Sequence, residues 1–261
     1  MEALSNKEIK ELCKSYQHIG TLRGVSRKFG RSQNTIKKYV SRFMEVKRQN
    51  LVKGLASSDS RLIGTYVGLW MGDGTQYYDR GFTIKICSDK RRKNLNNFIQ
   101  DLIIRLFRKK SYIVEEKTTN RAYIKFASKY IFDFIYEYVI LNVGKKTYSI
   151  KLKKNVNHHK IDFLEGCLLG LSLTDGYLKK FIRFNVISSR LAKNMYDILA
   201  RFGFNPHHYI HDRREYGWKN LHMISLKKEE SERLTRFLDE IIKKLGYDHS
   251  FNKLKYGPVE I

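Results

Sequence analysis

One apolar stretch occurs twice in the chain, and both copies end in Asp-Gly. The first copy runs from Leu62 to Gly74 and the second from Phe163 to Gly176. Small residues recur at every fourth position of each copy: Gly64, Gly68 and Gly72 in the first, and Gly166, Gly170 and Thr174 in the second. On a helix, this spacing places the small residues in one stripe along a single face.

A glycine stripe needs a compensating contact, because an interior glycine destabilises a helix by about 1 kcal/mol relative to alanine. Close approach of a second backbone supplies such a contact, and the other copy carries the matching stripe. Two helices packed stripe to stripe would bring Asp73 and Asp175 side by side at one end.

That end is unfavourable for two carboxylates, because a helix C-terminus carries partial negative charge and like charges repel. A divalent cation relieves both problems. A site with few protein ligands suits Mg²⁺, which keeps several waters and takes the rest of its shell from phosphate oxygens. The simpler interpretation is a pair of core helices whose Asp-Gly pairs are ordinary C-terminal turns. The duplication of both stripe and aspartate favours the shared metal site.

Residues 66–74 (YVGLWMGDG) and 168–176 (LLGLSLTDG) resemble the paired motifs of the LAGLIDADG homing endonucleases, in their single-chain, two-motif form. The resemblance implies that each half folds as αββαββα and that the last aspartate of each motif binds a divalent cation, Mg²⁺ or another such as Mn²⁺. By this resemblance Asp73 and Asp175 are catalytic metal ligands. It also implies that the backbone carbonyls of Gly72 and Thr174 contribute to the metal site.

The charge of the chain predicts a polyanionic partner. Lys and Arg number 51 against 26 Asp and Glu, which gives a net charge of +25, and a chain this basic repels itself unless a polyanion offsets the charge. The 17 Tyr and 15 Phe interleaved with the cations favour nucleic acid over a membrane surface. The sequence has no apolar run long enough to span a membrane and no signal peptide, so no membrane partner is expected.

The three cysteines are scattered along the chain, at Cys13, Cys87 and Cys167. An odd and scattered set argues against a disulfide framework or a zinc ribbon. It indicates a reducing, intracellular compartment: cytoplasm or nucleoid in a prokaryote, or an organelle if the gene is organellar.

Residues 1–50 are expected to form three short helices, with 12 basic and 4 acidic residues among them. Gly30 marks a turn, and Ser32 is a good N-cap for a third helix that runs to about Arg48. The apolar pattern is that of a helix-turn-helix formed by the second and third helices. The third helix would present the side chains of its first turns to base edges and phosphates. These side chains are Gln33, Asn34, Lys37 and Lys38. A structural three-helix bundle with a solvated basic face remains the alternative.

The predicted fold class is α+β, with two αββαββα halves related by a pseudo-twofold axis, two antiparallel sheets that form a saddle, and a small all-α domain in front. The predicted boundaries are 1–50 for the helix-turn-helix-like domain, 51–60 for a linker, 61–155 for the first half and 156–261 for the second. A helix is expected from Ser128 to Leu141, and a polar connection from Asn142 to Lys160.

Each sheet is expected to have an apolar face against helices and a polar, basic face towards DNA. The candidates for DNA contact on these faces, besides the helix-turn-helix residues, are Thr83, Lys85, Arg121, Tyr123, Arg183 and Asn185. For any one of them a solvated sheet face is the alternative. The histidines at 207, 208 and 211 are interpreted as DNA-facing or solvated rather than as a zinc site, since no cysteine lies near them.

Similarity to the family places a catalytic lysine near the active centre, and Lys125, at the end of a predicted strand, is the candidate. A cation there would stabilise charge that develops on the scissile phosphate. Ser225 stands at the equivalent place in the second half, so its basic residue stays open. Ser88 and Arg92 are weaker candidates for the same centre.

The function expected from the sequence is a site-specific double-strand DNA endonuclease, of the kind that acts in intron homing. The substrate would be duplex DNA with a long, partly asymmetric target site, bound by a monomer. Two alternatives stay open: a transcription regulator that binds DNA on this scaffold without cleaving it, and an RNA-splicing maturase.

Overall fold

The structure, a computed structural model, describes residues 5–19, 22–40, 59–78, 81–141, 146–178 and 181–256. The chain divides into two compact units, Met1–Ala56 and Ser57–Ile261. No helix in the described ranges is long and apolar enough to cross a membrane.

The first unit contains three described helices: α1 (Asn6–Ile19), α2 (Leu22–Phe29) and α3 (residues 33–40). Their apolar faces enclose a small core of Leu12, Cys13, Val25, Ile36 and Val40. Gly30, at φ 60°, makes the turn before α3, and the backbone amide of Thr35 donates to Ser32 Oγ at 3.2 Å. The expected turn and N-cap are therefore present. The expected end of α3 near Arg48 and residues 51–58 of the linker expected over 51–60 lie outside the described residues. The last two residues of that expected linker are the N-cap and the first residue of α4, Asp59 and Ser60.

The first half of the second unit follows the order αββαββα. Its elements are α4 (Ser60–Asp73), β1 (Gly74–Tyr78), β2 (Phe82–Asp89), α5 (Lys93–Phe107), β3 (Tyr112–Glu115), β4 (Arg121–Ala127) and α6 (Lys129–Phe134). The strands form one antiparallel sheet in the order β1-β2-β4-β3. In β4 the side chains of Ala122, Ile124 and Phe126 are fully buried, whereas the intervening residues are exposed or half-buried.

A connecting segment, β5 (Val139–Ile140), α7 (Lys146–Ser149) and β6 (Lys151–Leu152), leads to the second half. The second half repeats the order with α8 (Ile161–Thr174), β7 (Gly176–Leu178), β8 (Ile182–Val186), α9 (Ser189–Arg201), β9 (His207–His211), β10 (Leu221–Ser225) and α10 (Lys228–Lys244), and adds α11 (Phe251–Tyr256). Its sheet order, β7-β8-β10-β9, matches that of the first sheet. The α+β class and the duplicated αββαββα order are confirmed.

Two sequence predictions have to be corrected at the junction of the halves. The helix expected over Ser128–Leu141 ends at Phe134, continues as a 3₁₀ turn to Glu137 and gives way to β5, because Val139 and Ile140 pair with Leu152 and Lys151. The expected polar connection therefore holds α7 and β6, which are packed elements rather than a simple linker. Helix α11 was not expected at all.

Helices α4 and α8 pack against each other along their glycine stripes. A Cβ atom added to Gly64 or Gly68 would overlap the carbonyl oxygen of Phe163 or of Cys167, and one added to Gly170 would lie 2.5 Å from the backbone nitrogen of Leu69. The stripe-to-stripe contact expected from the spacing is thus confirmed, and the glycines are needed because backbone meets backbone.

Salt bridges connect α4 and α8 at their N-terminal ends. Arg61 on α4 donates to Glu165 and to Asp162 on α8, each at 2.6 Å, and Lys244 donates to the other oxygen of Glu165 at 2.9 Å. Glu165 is buried, so these two cations compensate a carboxylate that would otherwise be costly to place there. The helices are therefore held in register at one end by ion pairs and along their length by glycine.

Candidate active site

The two motif aspartates meet at the C-terminal ends of α4 and α8. Asp73 is the last residue of α4 and Asp175 is the C-cap of α8, and both line one cleft of about 640 Å³, which we call the carboxylate cleft. A Cβ atom added to Gly72 would lie 3.0 Å from Asp175 Oδ2, so the second carboxylate reaches the end of the first helix. The absence of a side chain at position 72 makes room chiefly for the side chain of Thr174, whose Oγ1 a Cβ atom there would overlap, and also for this carboxylate.

Burial makes the ionised forms of both carboxylates unfavourable, and at Asp175 the charge of Asp73 adds to this effect. Burial, with a smaller contribution from the charge of Asp73, raises the pKa of Asp175 to about 7. Burial also raises the pKa of Asp73 above its ordinary value. Lys146 and Lys255 oppose both shifts, and Arg92 opposes that of Asp73. The site thus contains two carboxylates whose ionised forms are stabilised by a nearby positive charge. Lys146, Lys255 and Arg92 supply that charge.

Lys146 on α7 covers the end of the first motif helix. Its Nζ donates to the carbonyl oxygens of Trp70 at 2.6 Å, Gly72 at 3.0 Å and Gly74 at 2.5 Å. It thereby places a positive charge at the negative end of the helix dipole, where it meets the carbonyl of Gly72 in the last turn of α4. Burial lowers the pKa of Lys146 to about 8, and the charges of Asp175 and Asp73 act in the opposite direction.

Lys255 on α11 occupies the corresponding position at the second motif helix. Its Nζ donates to the carbonyl oxygens of Leu173 at 2.7 Å and Thr174 at 3.0 Å. Burial, aided by the charge of Arg92, lowers its pKa to about 7. Arg92 also reaches this helix end, with Nη2 donating to Leu173 O at 2.8 Å. Each half therefore ends in a short helix that delivers one lysine to the end of its own motif helix.

Sequence reasoning missed Lys146 and Lys255. It assigned Lys146 to a connection and did not predict α11, because neither short helix has a strong periodic pattern. The only available signal was the chain order, in which each lysine follows the last sheet helix of its half. Lys125, the residue predicted for this role, lies on β4 directly opposite Lys85 of β2. The cations that act on the pKa of Asp73 are Lys255, Lys146 and Arg92, and the catalytic role of Lys125 stays a prediction.

The donor set fits a hard divalent cation. Mg²⁺ needs only one or two carboxylates in addition to water and phosphate oxygens, and the carboxylate cleft supplies two carboxylates with open space beside them. In the described parts of the chain no three His, Cys, Asp or Glu side chains gather into a larger cluster. The carbonyls of Gly72 and Thr174 already accept hydrogen bonds from Lys146 and Lys255, so their role as ligands stays a prediction.

Of the residues predicted to contact DNA from the first sheet, three are exposed or half-buried and one is buried. Lys85 is half-buried, with Nζ 5.0 Å from the ring centroid of Tyr77 and 5.1 Å from that of Tyr123, and Arg121 is exposed. Thr83 does not fit the prediction, because its side chain is buried. The strict alternation of the strand does not hold at this position, since both Thr83 and its neighbour Ile84 are covered.

The remaining predicted contacts are open to solvent. Arg183 and Asn185 on β8 are exposed, and Asn185 also lines the carboxylate cleft. In the first unit the predicted base- and phosphate-contacting side chains are all exposed on α3: Gln33, Asn34, Lys37 and Lys38. Of the three histidines at 207, 208 and 211, His208 contacts a further histidine on the neighbouring strand: its Nε2 lies 3.1 Å from Nδ1 of His222.

Comparison with known proteins identifies the fold. No protein-family model matches the sequence, and neither does any curated protein sequence. Among solved structures, mesophilic variants of the homing endonuclease I-DmoI are 16% identical with a TM-score of 0.53, over 69% of this chain and 97% of that chain. I-DmoI in complex with DNA and Ca gives 16% identity and a TM-score of 0.53 over 73% of this chain and 100% of that one. I-DmoI with DNA and Mn gives 15% identity, TM-score 0.50, over 69% and 97%. The chain therefore has the LAGLIDADG homing-endonuclease fold.

Proposed function

We propose that this protein is a site-specific DNA endonuclease that hydrolyses one phosphodiester bond in each strand of a duplex target. The observation that carries the proposal is the pairing of Asp73 and Asp175 in one cleft, with Lys146 and Lys255 beside them. Each half contributes one carboxylate and one lysine, which matches a reaction that has to occur once on each DNA strand.

The side chains divide the work between metal binding and charge stabilisation. Asp73 and Asp175 would hold divalent cations, Mg²⁺ or Mn²⁺, which when bound activate water and stabilise the leaving oxygen. The ammonium groups of Lys146 and Lys255 are fixed by backbone carbonyls, so they are already oriented when a phosphate arrives. Such a preorganised charge stabilises the extra negative charge of the transition state more than that of the ground state.

Duplex DNA is supported as the partner by charge and by the fold. The net charge is +25, and Arg121 and Arg183 project from sheet strands into solvent. I-DmoI, which shares the fold, has been crystallised with DNA together with Mn or Ca. The exposed face of α3 would add contacts outside the endonuclease unit, with Gln33 and Asn34 reading bases and Lys37 and Lys38 holding phosphates.

The proposal extends to the setting in which the enzyme works. A single chain already contains both half-sites, so we propose that a monomer binds a long, partly asymmetric target. Cys13, Cys87 and Cys167 are free thiols, which suits a reducing intracellular compartment.

A two-stage experiment tests the proposal. A cleavable site is first selected from a random duplex library with Mg²⁺ present, and the selected site is then given to Asp73→Asn and Asp175→Asn. Both variants should bind the site with nearly unchanged affinity and lose double-strand cleavage, because asparagine keeps the shape but removes the ligand charge. Lys129→Met, on α6, is a control that changes a charge elsewhere in the fold. Binding without cleavage by the unaltered protein would instead identify a DNA-binding regulator, and equal cutting by both aspartate variants would refute the metal assignment.

A further inference from the structure

A second cleft of about 540 Å³ lies beside the carboxylate cleft and is lined by aromatic and basic side chains. Its lining includes Tyr148 on α7, Ser189 at the start of α9, and Arg214, Trp218 and Lys219 on the β9–β10 connection. We call it the aromatic cleft. Ile187 lines both clefts, so the two adjoin.

The aromatic rings here are displayed to solvent rather than packed into the core. Trp218 is 61% exposed and Tyr216 is 64% exposed, with ring centroids 6.2 Å apart. The guanidinium carbon of Arg213 lies 5.2 Å from the Trp218 ring centroid, which fixes one side of the indole. Gly217, at φ 68°, takes the left-handed conformation that lets the connection turn between the two rings. Adjacent exposed rings with polar neighbours are typical of a ligand-binding surface.

The cleft also offers positive charge near these rings. Lys219 Nζ lies 5.7 Å from the ring centroid of Tyr148. Ser189 stands in the first turn of α9, and that turn contains no acidic residue. A helix start of this kind attracts anions. Of the Lys and Arg side chains that line the cleft, Arg214 is paired with Asp212, so Lys219 is the better placed to meet a phosphate.

The aromatic connection is peculiar to the second half. In the first half β3 and β4 are joined by residues 116–120, whose sequence EKTTN has no aromatic residue. In the second half residues 212–220, DRREYGWKN, fill the corresponding connection. The first half therefore joins the equivalent strand pair with a connection that is shorter by four residues and lacks aromatic side chains.

We propose that the aromatic cleft binds one unpaired nucleotide of the nucleic acid, with the base stacked on Trp218 and the phosphate at Lys219. An aromatic face with an adjacent cation is the arrangement by which proteins hold unstacked bases, and a cleft of this volume accommodates one nucleotide. A base inside a continuous duplex cannot present its face to Trp218, because its neighbours cover it. Helix α7 carries both Lys146 of the carboxylate cleft and Tyr148 of the aromatic cleft, so the unpaired nucleotide would lie next to the cleavage centre.

The inference rests on the proposed function only for the class of partner, and it has a readout that is independent of cleavage. The chain has two tryptophans: Trp70 is 1% exposed, whereas Trp218 is open, so quenching by an added ligand reports on Trp218. The full-length protein is titrated with a single-stranded oligothymidylate and with an abasic deoxyribose-phosphate oligomer of equal length and charge. Only the oligothymidylate should quench the fluorescence saturably, because only it has bases to stack.

Substitutions separate stacking from general charge attraction. Trp218→Ala should weaken binding of a labelled oligothymidylate by roughly 5- to 150-fold, the range expected for loss of one base–aromatic stack. Trp218→Phe should retain most of the affinity, which guards against a folding defect. Tyr136→Ala removes an exposed ring outside the cleft and should change nothing.

Equal quenching by the abasic oligomer, or unchanged affinity in Trp218→Ala, would overturn the inference. Each result leaves the endonuclease proposal standing, since that depends on Asp73 and Asp175. Conversely, stacking on Trp218 in a protein that never cuts DNA would refute the endonuclease proposal and leave the nucleotide site in place.

Discussion

At the scale of single residues, the two lysines at the motif helix ends are the part of the site that the structure adds. Lys146→Met and Lys255→Met should each lower the rate of cleavage by about 10²–10³-fold, the usual effect of removing one preorganised charge-stabilising donor. DNA affinity should change little, because each lysine is only one of many cations. The measurement is single-turnover cleavage of the selected site, with affinity determined separately.

Lys125→Met is the matched control for those two variants, since it replaces a lysine on the neighbouring sheet in the same way. A loss of cleavage confined to Lys125→Met would support the assignment made from the sequence and remove Lys146 and Lys255 from the catalytic centre. Loss in all three variants would place Lys125 in the centre as well.

The raised pKa of Asp175 predicts a dependence of stability on pH in the absence of divalent cations. Between its ordinary pKa of 3.8 and its folded-state pKa of about 7, the native protein holds a proton that the unfolded chain has released. The contribution of Asp175 to the free energy of unfolding therefore falls as pH rises through this window, by up to about 1.4 kcal/mol per pH unit. Asp175→Asn should remove that fall, which is measured as the difference between the two proteins in denaturant unfolding at several pH values with chelator.

Added Mg²⁺ provides a second arm of the same measurement. A cation bound to Asp73 and Asp175 stabilises only the native state, so it should raise the stability of the unaltered protein at pH 7 more than that of Asp175→Asn. Parallel pH curves for the two proteins without metal would show that burial does not perturb this carboxylate.

The sequence identified the carboxylates but not the lysines for a physical reason. Asp73 and Asp175 stand at fixed positions in a helix whose glycine period is visible in the chain. Lys146 and Lys255 reach the same centre from short helices whose positions depend on tertiary packing. Local sequence carries no signal for a contact of that kind.

At the scale of elements, the paired glycine stripes are the feature most open to a stability test. Gly68→Ala and Gly170→Ala each place a methyl group against the backbone of the facing helix. Overpacking of this kind should lower the free energy of unfolding by about 1–3 kcal/mol or more. Gly81→Ala is the control, because a Cβ atom there meets nothing within 4 Å. Melting temperatures for all three variants that match the unaltered protein would contradict the packed-stripe arrangement.

The same glycines explain why most of the fold was predictable from the sequence. A small-residue stripe can pack in few ways, and the alternating strands after each motif have one apolar face. These patterns agree with the order αββαββα that the resemblance to the LAGLIDADG family implied. The region after Phe134 was not predictable, because Tyr138, Val139 and Ile140 are compatible with either helix or strand. Pairing with β6 makes Val139 and Ile140 a strand. A single sequence does not reveal that they pair with a strand of only two residues.

At the scale of the whole molecule, the net charge of +25 predicts how DNA binding responds to salt. Each phosphate that a Lys or Arg neutralises releases counterions, so log K should fall against log[salt] with a slope of about −0.9 per contact. With on the order of 8 contacts, affinity should fall by several decades between low and moderate salt. Filter-binding titrations on the selected site measure this slope, and a flat response would remove the main physical argument for a nucleic-acid partner.

The share of that slope contributed by the first unit decides whether α3 contacts DNA. A chain that lacks residues 1–50 should keep a folded, cleavage-competent second unit, because the two units have separate cores, and its slope should be shallower by roughly 1 to 3. Lys37→Ala combined with Lys38→Ala should reproduce part of that change without altering the preferred sequence, since both side chains are exposed and, under the proposal, would contact phosphates rather than bases. Gln33→Ala and Asn34→Ala should do the reverse, with a relaxed sequence preference at an unchanged slope. If the truncated chain has the same slope and the same site preference as the full chain, the first unit has a role other than DNA recognition.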